Sequence, residues 1–532
     1  MHTARPTQII DLFAGPGGLG EGFSSLGRSF EILVSAEMDS AAHQTLRLRA
    51  YYRLLKKHCP SHLEDYYAYC KGTSEQPWTP KTLPYWEAAA QEARQLTLGD
   101  EESNRELDDV ITTSLDCSRP WVLIGGPPCQ AYSLAGRSRN KGKVDYVAEE
   151  DHRHFLYKEY LRIIQRYTPS VFVMENVKGI LSSKVAGKPV FHDILRDLSF
   201  PDEALGIQGS GEKYRICSLV TGDTFHYGDD PRDFDARKFI IRAEDHGIPQ
   251  ARHRVILLGI KESLLSSPLT LGTRRSVSVM DAIGEIPPLR SKMTKQKDSV
   301  QSWQTTVSDH IDDLLAALKH EFNHLNALIP ALEQAKEDIK ERESSGALRY
   351  PKNQQDNLAP PPLSSWYRDE NLDIWLNHEA RGHMPDDLRR YIYASAYAKS
   401  FGRSPKGHRE FCLPGLSPAH KNWKSGKFAD RFRVQLAHSP ATTVTSHISK
   451  DGHYFIHPDP GQCRSLTVRE AARLQTFPDN YFFQGNRTQQ YHQVGNAVPP
   501  LLARQIAEVV RDLITQETPD PEPHHQENLS LD

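Results

Sequence analysis

Five short apolar runs, at residues 8–13, 31–37, 121–124, 171–174 and 254–260, alternate with helical stretches such as 155–166. Runs this short cannot each bury both faces unless they lie side by side in one sheet, and the helices between them supply the crossovers that parallel neighbours need. The pattern predicts an α/β fold with a mostly parallel sheet and ligands at the carboxyl ends of its strands. The first run ends in Ala14-Gly15-Pro16-Gly17-Gly18-Leu19-Gly20, and the second ends on Glu37. The third leads into Gly125-Gly126-Pro127-Pro128-Cys129-Gln130, where two glycines and two prolines cannot continue a strand. Cys129 is therefore carried on a stiff turn. Taken alone, a cysteine there is more often a packing residue than a nucleophile.

Residues 41–120 form a long, aromatic, mostly helical stretch that reads as an insertion, giving a first domain over 1–290. The alternation fades over 291–463, which is taken as a second, smaller domain. Residues 464–515 return to the first domain, and the acidic, histidine-bearing 516–532 reads as a disordered tail. The seven scattered cysteines argue for reduced thiols. No apolar run is long enough to span a membrane, so a cytoplasmic protein is expected, taken as a monomer. Cys59 with His58 and His62 makes only a weak metal-like cluster, and no metal is expected. The net charge of -3 does not advertise a nucleic-acid binder, but Arg137, Arg139, Lys141 and Lys143 after the cysteine turn, and Lys421, Lys424, Lys427, Arg431 and Arg433, form two basic stretches. Such runs are usually solvated surface; both are also suited to phosphate contact.

Gly15, Gly17 and Gly20 satisfy the spacing of an adenosine-cofactor loop, with Glu37 where a ribose-binding acid would stand. Glu175 follows the fourth run, at the same sheet edge as Cys129. A carboxylate there is a helix cap or ion-pair partner unless it lies beside a nucleophile, where it can exchange a proton. Arg252 and Arg254 open the fifth run and can bind an anion or a carbonyl by forked hydrogen bonds. A dehydrogenase would use the glycine loop and Glu37 but leaves the cysteine turn and residues 493–500 idle. A cysteine hydrolase lacks an evident histidine base.

Six segments in order resemble the motif set of the DNA (cytosine-5)-methyltransferases. They are residues 11–18 (Asp-Leu-Phe-Ala-Gly-Pro-Gly-Gly), 126–130 (Gly-Pro-Pro-Cys-Gln), 175–177 (Glu-Asn-Val), Gln250-x-Arg252-x-Arg254, 464–470 with 474–478, and 493–500 (Gln-Val-Gly-Asn-Ala-Val-Pro-Pro). The resemblance implies a Rossmann-like S-adenosylmethionine-dependent methyltransferase domain and a target-recognition domain over 291–463. It implies a cofactor pocket of Phe13, Gly15, Gly17, Gly18, Leu19 and Glu37, with Pro128 from the cysteine turn, closed by Asn496, Ala497 and Val498. The acid near the adenine is assigned to Asp100, with Asp116 as the alternative. It further implies Cys129 as nucleophile, Glu175 at the cytosine ring, Arg254 at its carbonyl, and Arg252 positioning Glu175 or the cysteine turn. S-adenosylhomocysteine would be the product. Double-stranded DNA would be the partner, met by Gln130, Ser133, Arg137, Arg139, Lys424, Arg431, Arg433 and Thr443. A separately acting restriction endonuclease is the expected companion. A tRNA methyltransferase and a catalytically silent DNA-binding relative remain the alternatives.

Overall fold

The computed structural model describes residues 5–128, 156–185, 188–264, 270–352, 363–418, 423 and 431–517. Cys129, Gln130, Ser133, Arg137, Arg139 and Lys424 lie outside the described residues, as does 518–532 of the tail.

A nine-stranded sheet organises the first half of the chain. Its strands are β1 (Thr7–Leu12), β2 (Phe30–Glu37), β3 (Ala93–Gln95), β4 (Trp121–Gly125), β5 (Val171–Val177), β6 (Tyr214–Ser218), β7 (Thr224–Phe225), β8 (Ile240–Arg242) and β9 (His253–Lys261). They lie in the order β3-β2-β1-β4-β5-β9-β6-β7, with β8 also on β9. The five strands from β3 to β5 are parallel. The helices are α1 (Gly18–Ser24), α2 (Ser40–His58), α3 (Glu64–Lys71), α4 (Leu83–Glu92), α5 (Glu101–Ser114), α6 (Leu156–Tyr167) and α7 (Val190–Ser199), then α8 (Val300–His320), α9 (Ile329–Asp338), α10 (Pro385–Phe401), α11 (Val468–Leu474), α12 (Arg487–Asn496) and α13 (Pro500–Glu517). Shorter helices are cited by residue.

Both faces of the sheet are covered, which is why its strands read as continuous apolar runs and not as alternations. Ile9, Val122, Ile124, Val171 and Val173 face α1 and α13, while Ile10, Leu12, Leu123, Phe172 and Met174 face α5, α6 and α7. The chain diverges from β1 to β2 on one side and to β4 on the other, so the crevice at their carboxyl ends is the expected ligand site of such a sheet.

β9 runs antiparallel to β5, with Ile256 opposite Glu175 and Arg254 opposite Val177. Its amino end therefore meets the carboxyl edge of the parallel strands. Residues 41–120 are not an insertion throughout: β3 hydrogen-bonds to β2 as the sheet's edge, and Leu107 and Ile111 of α5 join the core beneath it. The helices α2 and α3 instead build an aromatic cluster with Tyr51, Tyr52, Tyr66 and Tyr67, reaching Leu372, Leu376 and Phe482.

Residues 293–463 contribute a core of their own around Trp303, Leu314, Leu332, Tyr391 and Phe432, carried mainly by α8, α9 and α10. A further cluster, around α11, α12, Val444 and Phe477, lies at the join with the sheet domain. Here Arg464 and Glu470, 0% and 1% exposed, form a bidentate ion pair at 2.6–2.7 Å, and Arg473 pairs with Asp479 and Glu285. Among the described residues no helix is long and apolar enough to cross a membrane.

Candidate active site

The glycine loop after β1 is held by a strained backbone. Phe13, Gly15 and Gly17 all have positive φ, and at Phe13 (φ 56°) a side chain pays the ~1–3 kcal/mol cost of that region. Glu37, at the end of β2, accepts hydrogen bonds from the Gly15 N–H (2.8 Å) and the Asp39 N–H (2.7 Å). Burial raises its pKa, against those two bonds. Each carboxylate oxygen keeps a second lone-pair direction, which suits the ribose hydroxyls of an adenosine cofactor. Met38, 60% exposed beside it, adds an apolar face that sequence patterning did not single out. A Cβ on Gly15 would meet nothing within 4 Å, so the space above the loop is open.

Gly18 has the opposite surroundings. A Cβ there would fall well inside van der Waals distance of the Val498 carbonyl oxygen, so the loop and the C-terminal segment pack backbone to backbone. Asn496, exposed at the end of α12, and the buried Ala497 flank that contact. Tyr481 donates from its hydroxyl to the Pro16 carbonyl and so steadies the loop from the same side. The side chain of Leu19 is buried in the core between the sheet and α13, because it sits on the inward face of α1. Only its backbone remains at the loop.

The two candidate adenine acids separate by position. Asp100 follows β3 and caps α5, accepting from the Ser103 N–H at 3.0 Å, a bond that holds its carboxyl below the usual range. It stands beyond the carboxyl end of its strand. Asp116 precedes β4, its N–H bonded to Gln8 at the start of β1, and so lies at the opposite edge of the sheet. Asp11, inside β1, is fully buried with neither carboxylate oxygen hydrogen-bonded, and burial raises its pKa well above the usual value.

At the end of β4 the described chain stops one residue short of Cys129, but the mount of that turn is visible. Asn176 donates to the Pro127 carbonyl at 3.2 Å. The Glu175 carboxylate lies over Gly126, where an added Cβ would come within 3.1 Å of its Oε2, so a side chain at 126 would crowd the carboxylate. Arg254 Nε forms an ion pair with Glu175 Oε1 at 2.8 Å, both side chains being nearly buried. The antiparallel entry of β9 makes this pair, since it starts where β5 ends.

Arg252 is held differently. Its fully buried guanidinium donates to the Val444 carbonyl (2.8 Å) and the Gly495 carbonyl (3.3 Å), while Arg254 and Glu175 lie near enough to act on its charge. Alternate residues of an extended chain point to the same side, but Arg252 precedes the strand proper, and its side chain turns toward the domain junction. Thr443 is likewise engaged, its hydroxyl donating to the Ala251 carbonyl at 2.7 Å. Arg431 lies 4.0 Å from Asp451, and the Arg433 backbone bonds to His453. Cys59 Sγ and His62 Nδ1 are 3.4 Å apart, but among the described residues no three metal-ligating side chains converge. A cavity of about 310 Å³ lined by Met280, Lys399, His438 and Asp459 contains none of the residues above.

The sequence profile described as C-5 cytosine-specific DNA methylase matches residues 90–201 and 233–512. The Type II methyltransferase M.Bpa9945I of Bacillus paralicheniformis is 33% identical over 536 residues, covering 95% of this chain and 99% of that protein. The Type II methyltransferase M.AgeI of Thalassovita gelatinovora is 27% identical, covering 96% of this chain and 100% of its own length. DNA (cytosine-5)-methyltransferase 1 of Gallus gallus is 24% identical over 95% of this chain and 30% of its own.

Proposed function

This chain belongs to the C-5 cytosine-specific DNA methylases and is a DNA (cytosine-5)-methyltransferase; we propose that it acts on a cytosine rotated out of a specific duplex sequence, through a covalent bond from Cys129. The observation that carries this reading is the junction of Glu175, Arg254 and the Gly126–Pro127 turn at one sheet edge, beside the glycine loop. C5 of cytosine is a weak nucleophile. Attack of the Cys129 thiolate on C6 forms the S–C6 bond and moves the C5–C6 electron pair toward C5. Glu175 delivers or shares a proton at N3, so the ring does not accumulate charge. Arg254 holds Glu175 in line and reaches the cytosine carbonyl. C5 is then the atom that accepts the methyl group; loss of its proton and cleavage of the S–C6 bond restore the aromatic ring. The target base must leave the stack to reach such an edge, at a cost of about a few kcal/mol.

S-adenosylmethionine, when bound, supplies a methyl group made electrophilic by its sulfonium sulfur. Phe13, Gly15, Gly17, Gly18, the backbone of Leu19, Glu37, Asp100, Pro128 and residues 496–498 are the groups suited to hold it, and the open space above Gly15 with the remaining acceptor capacity of Glu37 fits an adenosine ribose. A Gly18→Ala variant is expected to lose ~1–3 kcal/mol through the clash with Val498. Isothermal titration should then show S-adenosylhomocysteine bound about ten- to a hundredfold more weakly. Unchanged affinity would remove residues 496–498 from the pocket.

The type II names of the relatives support a modification role alongside a separate endonuclease, in a cytoplasmic, DNA-associated protein. The basic stretch ending in Arg431 and Arg433 would contact phosphates, with Lys424, Gln130, Ser133, Arg137 and Arg139. Incubation of the full-length chain with labelled S-adenosylmethionine and either duplex DNA or tRNA tests the substrate, and bisulfite sequencing maps the site. Label is expected in DNA, and none after Cys129→Ala. Label confined to tRNA overturns the substrate, and full activity of the alanine variant overturns the covalent route.

A further inference from the structure

Gln250, Arg252 and Gln475 are fully buried, take no part in the chemistry above, and converge on the backbone of Val444 and of residues 494–497. Gln250 Oε1 accepts the Val444 N–H at 2.7 Å, while its Nε2 donates to the Leu474 carbonyl (3.1 Å) and to Gln475 Oε1 (2.9 Å). Gln475 Nε2 donates onward to the carbonyls of Val494 (2.6 Å) and Ala497 (3.2 Å). Arg252 Nη1 bridges the Val444 and Gly495 carbonyls. The N–H and the C=O of Val444 are thus both held by side chains from residues 250–252, immediately before β9. Each holder also reaches the C-terminal segment.

Backbone contacts reinforce the arrangement. Gln250–Ala251 pairs in parallel with Ala441–Thr442, and Gly495 lies so close to the backbone of Thr445 and Ser446 that it has no room for a Cβ. One end of this assembly is the 442–450 segment of the recognition region. The other is residues 496–498, resting on Gly18 of the glycine loop. Between them β9 presents Arg254 to Glu175. A shift of Val444 alone would leave buried amide groups without partners, so the two ends move together at less cost than apart.

We propose that Gln250, Arg252 and Gln475 are positioning residues that clasp the segment 442–450, whose Thr443 is expected to meet DNA, to the cofactor-closing segment 496–498, so that DNA and cofactor each tighten the other's binding. The inference rests on the assignment of the two sites given above. By linkage the factor is the same in both directions.

The test measures S-adenosylhomocysteine affinity of the full-length chain with and without a duplex carrying its methylation site, and duplex affinity with and without S-adenosylhomocysteine. Wild type is expected to show about tenfold mutual tightening. Arg252→Gln and Gln475→Met are each expected to bring that ratio toward one, while Arg252→Lys, which can still donate to one carbonyl, keeps part of it. A ratio of one in wild type overturns the clasp, as does an unchanged ratio in a variant shown folded by circular dichroism and melting. If one variant fails to fold, the other and the wild-type ratio decide. A wild-type chain that binds neither ligand fails the methyltransferase reading instead; one that binds and methylates without mutual tightening fails only the clasp.

Discussion

Replacing Glu175 by Gln is expected to lower turnover by about two to four orders of magnitude, the usual share of a positioned proton donor and acceptor. The substitution keeps the size of the side chain over Gly126 and removes the charge that Arg254 pairs with at 2.8 Å. The melting temperature should change little beside the loss of activity, because the pair lies at the rim of the sheet and both partners retain some solvent. Single-turnover methylation of the mapped duplex separates this from weakened binding. The effect should fall on the chemical step, with DNA and S-adenosylhomocysteine affinities kept within a few-fold. A variant with near wild-type turnover would return Glu175 to the role of a structural ion-pair partner for Arg254.

The largest expected effect on stability comes from Glu470→Gln. Arg464 and Glu470 are buried together, and the amide would leave Arg464 charged and unpaired, at a cost of about 3–5 kcal/mol. Glutamine can keep the capping contact that Glu470 makes with the Thr467 N–H, so the measured loss isolates the ion pair from the cap. Burial alone would raise the Glu470 pKa, but the charge and hydrogen bonds of Arg464 prevail and hold it well below the usual carboxylate range. A depressed folded pKa contributes stability above the unfolded value, near 4.5, and loses it as pH falls toward the folded value. Asp479, held down by Arg473 against its own burial, acts in the same direction. Thermal unfolding should therefore show a wide gap between wild type and Glu470→Gln at neutral pH that narrows below about pH 4.5. A gap that stays constant down to strongly acid pH would mean that the ion pair is not the source of the loss.

The strands, the glycine loop and the cysteine turn were legible because each rests on local chemistry. Apolar runs of strand length, positive-φ glycines and prolines that end a strand leave their mark in consecutive residues. Asp100 and Asp116 could not be told apart that way. Both are polar acids near a strand, and only the direction of β3 and β4 in the sheet puts one at the carboxyl edge and the other at the amino edge. The edge strand Ala93–Gln95 escaped notice for a related reason. Three residues with one buried side chain carry no periodic signal, and the pairing with β2 alone makes them a strand.

Membership of the five apolar runs in the sheet, the position of the glycine loop after β1 and the residue types available for chemistry were determined by the sequence by itself, since each depends on neighbours a few residues apart. The division of labour within Arg252-His253-Arg254 was decided only by tertiary structure. Both arginines have the same donors and the same local surroundings in sequence. Because β9 runs antiparallel to β5, Arg254 arrives beside Glu175, while Arg252, one step outside the strand, meets two carbonyls from segments nearly two hundred and more than two hundred residues away. A buried guanidinium goes where unpaired acceptors are, and chain folding sets where those acceptors lie.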